Sequence, residues 1–512
     1  MKTLALFVGL ATFLITATSY GQPPNIPLSN QSIGPNQDLN ISLVSLAPGV
    51  AYDVSCVISS DRRASEPSIM LQTNVTCYSL NGAVTCKGPQ LPLPVNVGRF
   101  PVNHIVVIPG SKSITNRVLL IAAVAEGESL LSGVLISDDT LACVNALKNL
   151  GVEIYLDEKE KTCRVVGCAG KFPNKEASVW CNEAGTVARF MLAMCAAIPG
   201  TYHFDAAAQL RARPLSLLIK ALILQGAKFI PADALEMPFT LQGAESFLGG
   251  EITIDASQSG QFVSALLMAA PFAASAFSIR VEDLVSVPYV DMTCAIMAEF
   301  GVLVQQMHEG FYRVLVPQHY RGLSYVIEPD LSTASYFFAA AAVTAGNMTV
   351  PNIDRENSKQ GDIQFLKVLE KMGCSVTQTA AGIVVQGVKE LQGVDVDMRD
   401  FSDTFMTLAA IAPFANSPTT ITNIRHARFQ ESDRLSAMCD VLNKLNIKTE
   451  MGPDWLRVYP GTPVAAEIDS HKDHRIAMSA AIIGLRVPGV IINNAECVAK
   501  TCPEFFQMWE QL

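Results

Sequence analysis

From about residue 100 onward the chain alternates between two kinds of apolar segment. One is short and strand-like, as at Ile105-Val106-Val107-Ile108. The other runs through a helix length with Ala, Leu, Met and Phe on every side, at 113–125, 185–197, 261–274, 332–345, 404–415 and 474–486. Apolar content around the whole circumference predicts helices buried on most faces. Between them, further helix-length segments close on Leu150-Gly151-Val152, Gln225-Gly226-Ala227, Phe300-Gly301-Val302, Met372-Gly373-Cys374 and Leu445-Asn446-Ile447. These Gly and Asn positions recur at intervals of 72 to 75 residues. Gly and Asn accept the left-handed conformation at a helix C-terminus, so the recurrence reads as a repeated stop signal. A last helix over 503–512 falls where the next stop is due. Six units, each of two helices with intervening strands, account for residues 100–512 and predict an α/β fold.

At 512 residues and 55.0 kDa the chain exceeds one compact core, and two or three domains are expected. Its mean hydropathy of +0.28 is high, but Ala-rich buried helices account for it without stable membrane insertion. A net charge of −10 and a pI near 5.3 argue against nucleic-acid binding, so any anion site is a local basic cluster in an acidic body. Residues 1–22 carry one Lys, an apolar run from Leu4 to Ala17 and small polar residues, the pattern of a secretory signal peptide. Residues 23–100 are rich in Pro, Ser, Asn and Val with short alternating runs, which suggests a small β-rich module without a readable role. It holds Cys56, Cys77 and Cys86 and three glycosylation triplets beginning at Asn30, Asn40 and Asn74. Ten scattered cysteines follow without metal-site spacing, so no metal is expected and most read as core thiols of a reduced, intracellular body. That is in tension with the leader.

Polar residues gather at helix starts. Pro109-Gly110-Ser111-Lys112-Ser113-Ile114-Thr115-Asn116-Arg117 is a strand end, a tight turn and a helix head crowded with Ser, Lys and Arg. The free N–H groups of a first helical turn suit an anion, and Lys112 and Arg117 add charge. Taken alone, the stretch fits a capped helix with two solvated cations equally well. The other starts carry Glu183-Ala184-Gly185-Thr186 with Arg189, Arg213-Pro214, Ser257 to Gln261, Ser286 to Tyr289, Gln360-Gly361-Asp362, Asp403, Glu431 to Arg434, Asp473-His474-Arg475 and Lys500-Thr501. Ser, Asp and Asn are favoured caps in any helix. A cation at a helix N-terminus opposes the dipole, however, so the run Arg117, Arg189, Arg213, Arg434, Arg475 and Lys500 calls for an anionic ligand to offset it. Asp403 and Glu431, set among these cations, suit either proton transfer or neutralisation of arginines. His474 reads as a supporting residue.

These motifs, in this order, resemble those of the 5-enolpyruvylshikimate-3-phosphate synthase family: Pro-Gly-Ser-Lys-Ser with Asn-Arg at 109–117, Ala-Gly-Thr-x-x-Arg at 184–189, Arg-Pro at 213–214, Pro-Tyr at 288–289, Gln-Gly-Asp at 360–362, Glu-Ser-Asp-Arg at 431–434, Asp-His-Arg at 473–475 and Ala-Lys-Thr-x-Pro at 499–503. The resemblance implies a two-domain enolpyruvyl transferase fold, each domain three βαβαββ units. One domain would span 111–327, and the other would join 100–110 to 328–512 across a hinge. It implies transfer of the enolpyruvyl group of phosphoenolpyruvate to the 5-hydroxyl of shikimate 3-phosphate, with release of phosphate and no cofactor. Lys112, Arg213, Arg434, Arg475 and Lys500 would hold phosphoenolpyruvate with help from Gly185 and Gln261. Lys112, Ser113, Arg117, Ser259, Gln261, Ser286, Tyr289, Asp403 and Gln430 would hold shikimate 3-phosphate. Asp403 would take the hydroxyl proton, Glu431 would shuttle the methylene proton, and Lys112 joins them in the catalytic set.

Several positions depart from the family pattern. Gln430 stands where Lys is usual and would shift phosphate binding toward Arg428. His426 replaces Asn, Glu183 replaces Asn, Phe190 replaces Pro and Gly260 replaces Ser. Phe190 borders the pocket that the herbicide glyphosate, a candidate inhibitor, occupies in sensitive members. Two alternatives stand beside this reading: enolpyruvyl transfer to a UDP-sugar, and a non-catalytic exported binding protein. The expectation is a monomer acting in the cytoplasm.

Overall fold

The structure, a computed structural model, describes residues 93–95 and 101–512, with Pro94 in backbone alone. Ahead of them it describes only the backbone of six strands between Leu4 and Cys86, paired antiparallel in one sheet. No side chain of the leader expected over 1–22, of Cys56, Cys77 and Cys86, or of the three glycosylation triplets is among the described ones. The chain divides into a unit of Met1–Pro92 and a unit of Leu93–Leu512.

Within the second unit, strands form six small mixed sheets around two separate apolar cores. The sheet of Glu176–Trp180, Thr201–Asp205, Phe239–Gln242 and Lys228–Ile230 shows the common plan. Its first two strands run parallel, with Val179 opposite Phe204, and the next pairs are antiparallel, with Tyr202 opposite Leu241. A parallel pair needs a crossover, and the buried helix Gly185–Ala197 supplies it. Alternation explains the burial: Ala177 and Val179 point into the core while Glu176, Ser178 and Trp180 face out.

Six inner helices fill the cores: α1 (Lys112–Val124), α2 (Gly185–Ala197), α3 (Gln261–Ala269), α4 (Leu331–Thr344), α5 (Phe405–Ile411) and α6 (His474–Arg486). The first three lie in one core and the last three in the other. Burying one Leu or Ile side chain contributes about 1.5–3 kcal/mol, which makes these helices the main source of stability. Two end earlier than the apolar pattern predicts. After α3 and α5 a single 3-10 turn, Ala270–Phe272 or Ala412–Phe414, replaces the last helical turn. In each, the Pro of Ala-Pro-Phe (Pro271 or Pro413) lacks the N–H that an α-helix needs there. The stop residues behave as expected, with φ of +88° at Gly151, +98° at Gly226, +92° at Gly301, +100° at Gly373 and +62° at Asn446.

The chain passes between the cores twice. Asn103–Ile105 pairs in parallel with Asn347–Val350 of the second core, while Ser324–Val326 pairs in parallel with Leu130 to Ser132 of the first. The two passing segments meet antiparallel: Ser111 N donates to Glu328 O and Asp330 N to Pro109 O, both at 2.8 Å. A Cβ on Gly110 would stand 1.9 Å from Gly133 O, so only glycine fits the crossing. The strand expected at 105–108 therefore sits two residues earlier, because 106–110 already belongs to the crossing. Among the described residues no helix is long and apolar enough to cross a membrane.

Candidate active site

The heads of α1, α2 and α3 have no side-chain cap and no acidic residue in the first turn; the Lys112 N–H goes to Asp330 at 3.1 Å and the Gln261 N–H to Ser259 Oγ at 3.3 Å, which leaves the head of α2 at Gly185 the open one. Cations from both cores converge beside them. Arg434, the first residue of the helix Arg434–Lys444, is 1% exposed and holds three carboxylates: Asp403 at 3.0 Å, Glu431 at 2.8 Å and Asp473 at 2.8 Å. Arg475 of α6 holds the other oxygen of Asp403 at 2.7 Å. Arg213, from the first core, reaches Glu431 at 3.3 Å. Lys112 and Lys500 share Asp139 at 3.3 and 3.4 Å, and Lys500 also donates to the Glu183 carbonyl. Gln209 ties the seam further by donating to Glu431 O at 2.7 Å. Gly185 leaves room for the Arg213 guanidinium, because a Cβ would lie 2.8 Å from Arg213 Nη1 and push it aside.

Of the six cations in that run, Arg213, Arg434, Arg475 and Lys500 gather here, joined by Lys112, and the reasoning that a ligand must offset them needs correction. Asp139, Asp403, Glu431 and Asp473 supply the counter-charge from the protein itself. Burial alone would raise Glu431, but Arg213, Arg434, Lys500 and Lys112 hold it well below the ordinary carboxylate range. Asp403 is likewise held low, with burial outweighed by Arg475 and Arg434. Asp362 goes the other way: burial and the neighbouring Asp403 lift it to about 7. Burial and nearby cations keep His474 neutral.

A polar flank adjoins this cluster. The Tyr289 hydroxyl stands 3.1 Å from both Asp362 and Asp403. Arg189 donates to Gln261 at 2.7 Å, and the Gln261 N–H reaches Ser259 Oγ. Ser286, at φ +56°, brings its hydroxyl within 3.5 Å of His426 Nε2, which also meets Ser402 Oγ at 2.8 Å. Gln430 accepts from Arg434. Gly260 has a packing reason, because a Cβ there would stand 2.7 Å from Val285 O. Ser113 offers its carbonyl to Arg117.

Two residues sit apart from expectation. Arg117 is buried away from the cation cluster, with Nε on Thr293, Nη1 on Ser113 O, Nη2 on Tyr289 O and its guanidinium 4.9 Å over the Phe190 ring. It fastens α1 to the helix Val287–Glu299. Arg428 does not stand in for the Lys that Gln430 replaces. It is spent on Asp433, Ser436 and the Gly452 and Pro453 carbonyls, which turn it away. Sequence reasoning gave no role to Asp139, Asp362 or Gln209. Asp139 follows Ser137 in a capping box and so looked like ordinary helix-start chemistry, and Asp362 lay inside a quoted motif.

Comparison with known proteins bears on this geometry. A family model described as EPSP synthase (3-phosphoshikimate 1-carboxyvinyltransferase) matches residues 98–509. A 3-phosphoshikimate 1-carboxyvinyltransferase of Nostoc punctiforme is 43% identical over 417 residues, 80% of this chain and 97% of that protein. One from Yersinia pestis is 40% identical over 419 residues, covering 80% and 96%. Among solved structures, EPSP synthase from Acinetobacter baumannii aligns with a TM-score of 0.68 at 24% identity, covering 82% of this chain and 97% of that one. The enolpyruvyl transferase NikO from Streptomyces tendae aligns at 0.66 with 17% identity and the same coverage, a likeness of fold alone.

Proposed function

The chain belongs to the EPSP synthase family, and on that premise we propose how the side chains at the seam divide its reaction among them. The enzyme transfers the enolpyruvyl group of phosphoenolpyruvate to the 5-hydroxyl of shikimate 3-phosphate and releases phosphate, a step of aromatic amino acid biosynthesis. In our reading Lys112, Arg213, Arg434, Arg475 and Lys500, with the open N–H groups at Gly185, bind the phosphate and carboxylate of phosphoenolpyruvate. Ser113, Ser259, Gln261, Ser286, Tyr289 and Gln430 bind shikimate 3-phosphate, while Arg117, spent on Thr293 and on the Ser113 and Tyr289 carbonyls, holds that binding surface in place. The first half spans 111–327, the second joins 100–110 to 328–512, and the crossing at Gly110 and Pro329 serves as the hinge.

The ion pairs suggest why the proton steps follow binding. Glu431 is ionised because Arg213 and Arg434 hold it. The anionic groups of phosphoenolpyruvate compete for those same guanidinia, so Glu431 loses counter-charge, its affinity for a proton rises, and it becomes able to protonate the enol methylene. Arg475 gives Asp403 one terminal nitrogen and has its Nε free for phosphoenolpyruvate, so Asp403 stays a carboxylate, ready to accept the hydroxyl proton as oxygen attacks C2. Collapse of the phosphate-bearing intermediate returns the methyl proton to Glu431, while the cations stabilise the departing phosphate.

The observation that carries this reading is the meeting of five cations from both cores around Asp403 and Glu431. The ten cysteines among the described residues are all free thiols, which supports action in a reducing compartment, and we read the working enzyme as a monomer. Phosphate release measured with shikimate 3-phosphate and, separately, with a UDP-sugar acceptor tests the assignment. Turnover with the first alone is expected. Asp403→Asn and Glu431→Gln should each lower kcat by roughly 10²–10⁴-fold. Turnover with the UDP-sugar alone, or with neither, would sink the reading.

A further inference from the structure

Tyr289, on the helix Val287–Glu299 of the first core, meets two carboxylates of the second. Its hydroxyl oxygen lies 3.1 Å from Asp362 Oδ2 and 3.1 Å from Asp403 Oδ2. A phenol donates one proton, so it can serve only one of them as donor. The other contact is a hydrogen bond only if that carboxyl brings a proton of its own. Asp403 is pinned as a carboxylate by Arg434 and Arg475. Asp362 is 4% exposed and has no ion pair among the described salt bridges; Ser332 Oγ donates to its Oδ2 at 2.6 Å, and its Oδ1 is buried without a partner. The arrangement therefore marks Asp362 as the carboxyl that carries the extra proton when one is present, and as an acceptor for the Tyr289 hydroxyl when none is.

We propose that Asp362 is the far end of a proton relay, joined to Asp403 through the Tyr289 hydroxyl, and that it takes over the proton that Asp403 removes from the acceptor hydroxyl. The inference rests on Asp403 as the base in the reaction above. As the acceptor oxygen bonds to C2, its proton goes to Asp403. With Asp362 ionised at the outset, Asp403 then passes a proton to the Tyr289 oxygen while the tyrosine's own proton moves to Asp362, leaving Asp403 ionised, Tyr289 unchanged and Asp362 neutral. That is the proton-loaded arrangement in which both 3.1 Å contacts are hydrogen bonds. The proton returns along the same bridge and ends on the released phosphate, which closes the balance.

The physical gain lies in the ion pairs. A proton left on Asp403 would weaken its bonds to both Arg434 and Arg475. On Asp362 the neutral form is the one that burial favours, followed by the charge of Asp403, and the carboxyl titrates at about 7. The groups facing it are Asp403 beside α5, Arg475 of α6, Ser332 and Asp330 at the head of α4, and Tyr289 from the other core. A relay carboxyl matched to neutral pH accepts and returns a proton with little driving force lost either way.

Asp362→Asn keeps the size and hydrogen bonding and removes the titration. Its kcat should fall about tenfold or more with both KM values within roughly threefold, and the acid limb of the kcat–pH profile near neutrality should vanish. Ser332→Ala removes the hydroxyl that favours ionised Asp362, so that limb should move to higher pH while the plateau kcat is kept. A purely structural role would change stability or KM and leave the limb in place. Wild-type kcat with an unmoved limb in Asp362→Asn overturns the relay. Should that variant fail to fold, an unmoved limb in Ser332→Ala overturns it instead. Asp403→Asn, assayed alongside, separates the two layers. Retained turnover there removes the base assignment and the relay with it, whereas an inactive Asp403→Asn beside a normal Asp362→Asn removes the relay alone.

Discussion

Replacing Arg434 with methionine removes the cation shared by Asp403, Glu431 and Asp473. At an effective dielectric constant near 20, unit charges about 2.8 Å apart attract by roughly 6 kcal/mol, while each buried ion costs several kcal/mol in lost hydration. The intact network is therefore close to balance, and its removal is what hurts. Asp403 would keep Arg475 and Glu431 would keep Arg213, but Asp473, 0% exposed, would retain only the Ser432 hydroxyl and the Arg475 N–H. An uncompensated buried charge of this kind costs about 3–5 kcal/mol. The lower figure corresponds to a fall in Tm of roughly 6–12 °C for a domain near 200 residues. The deficit should depend on pH. Asp403 and Glu431 have depressed values in the folded protein, so they contribute stability above the unfolded carboxylate range that is lost as pH falls through their folded values. Without Arg434 that contribution is largely gone at neutral pH, and in acid the orphaned carboxylates protonate in any case. Thermal unfolding followed by circular dichroism at about pH 7.5 and about pH 3 should show a Tm gap that narrows on acidification. A gap under about 2 °C at neutral pH, or an equal gap at both, would refute the idea that shared charge holds this seam together.

Three further outcomes follow from individual contacts. Glu183→Asn removes a carboxylate 3.9 Å from Lys500 Nζ, so KM for phosphoenolpyruvate should fall up to about fivefold while KM for shikimate 3-phosphate holds steady, as steady-state kinetics would show. Arg428→Ala should lower Tm yet leave KM for shikimate 3-phosphate within about twofold, because the wild-type guanidinium is spent on Asp433, Ser436 and two carbonyls; a large rise in that KM would contradict the geometry. His426 is depressed from 6.5 to about 4 by burial, so its neutral form contributes stability above pH 6.5 that is lost as pH falls toward 4. His426→Asn should therefore move the acid-unfolding midpoint to lower pH, and a midpoint that stays put or rises would count against a buried neutral imidazole.

Much of this molecule was legible along the chain because its information is local. The six inner helices, the left-handed stops at Gly151, Gly226, Gly301, Gly373 and Asn446, and the cations at helix heads each follow from a few neighbouring residues. The two early helix ends were legible too, in Ala-Pro-Phe at 270–272 and 412–414, had the missing proline N–H been weighed against the apolar run. What only the tertiary structure decided is which charges share a partner. Asp139 lies 27 positions from Lys112 and 361 from Lys500, yet stands between their ammonium groups. Tyr289 reaches Asp362 and Asp403 from the opposite core, and Arg117 and Arg428 turn to partners of their own. Helix and strand preferences act over a few residues, so they are written in the order of the chain. Coulomb attraction and loss of hydration depend on distance in space and depth of burial, and those exist only once two cores joined at Gly110 have folded against each other.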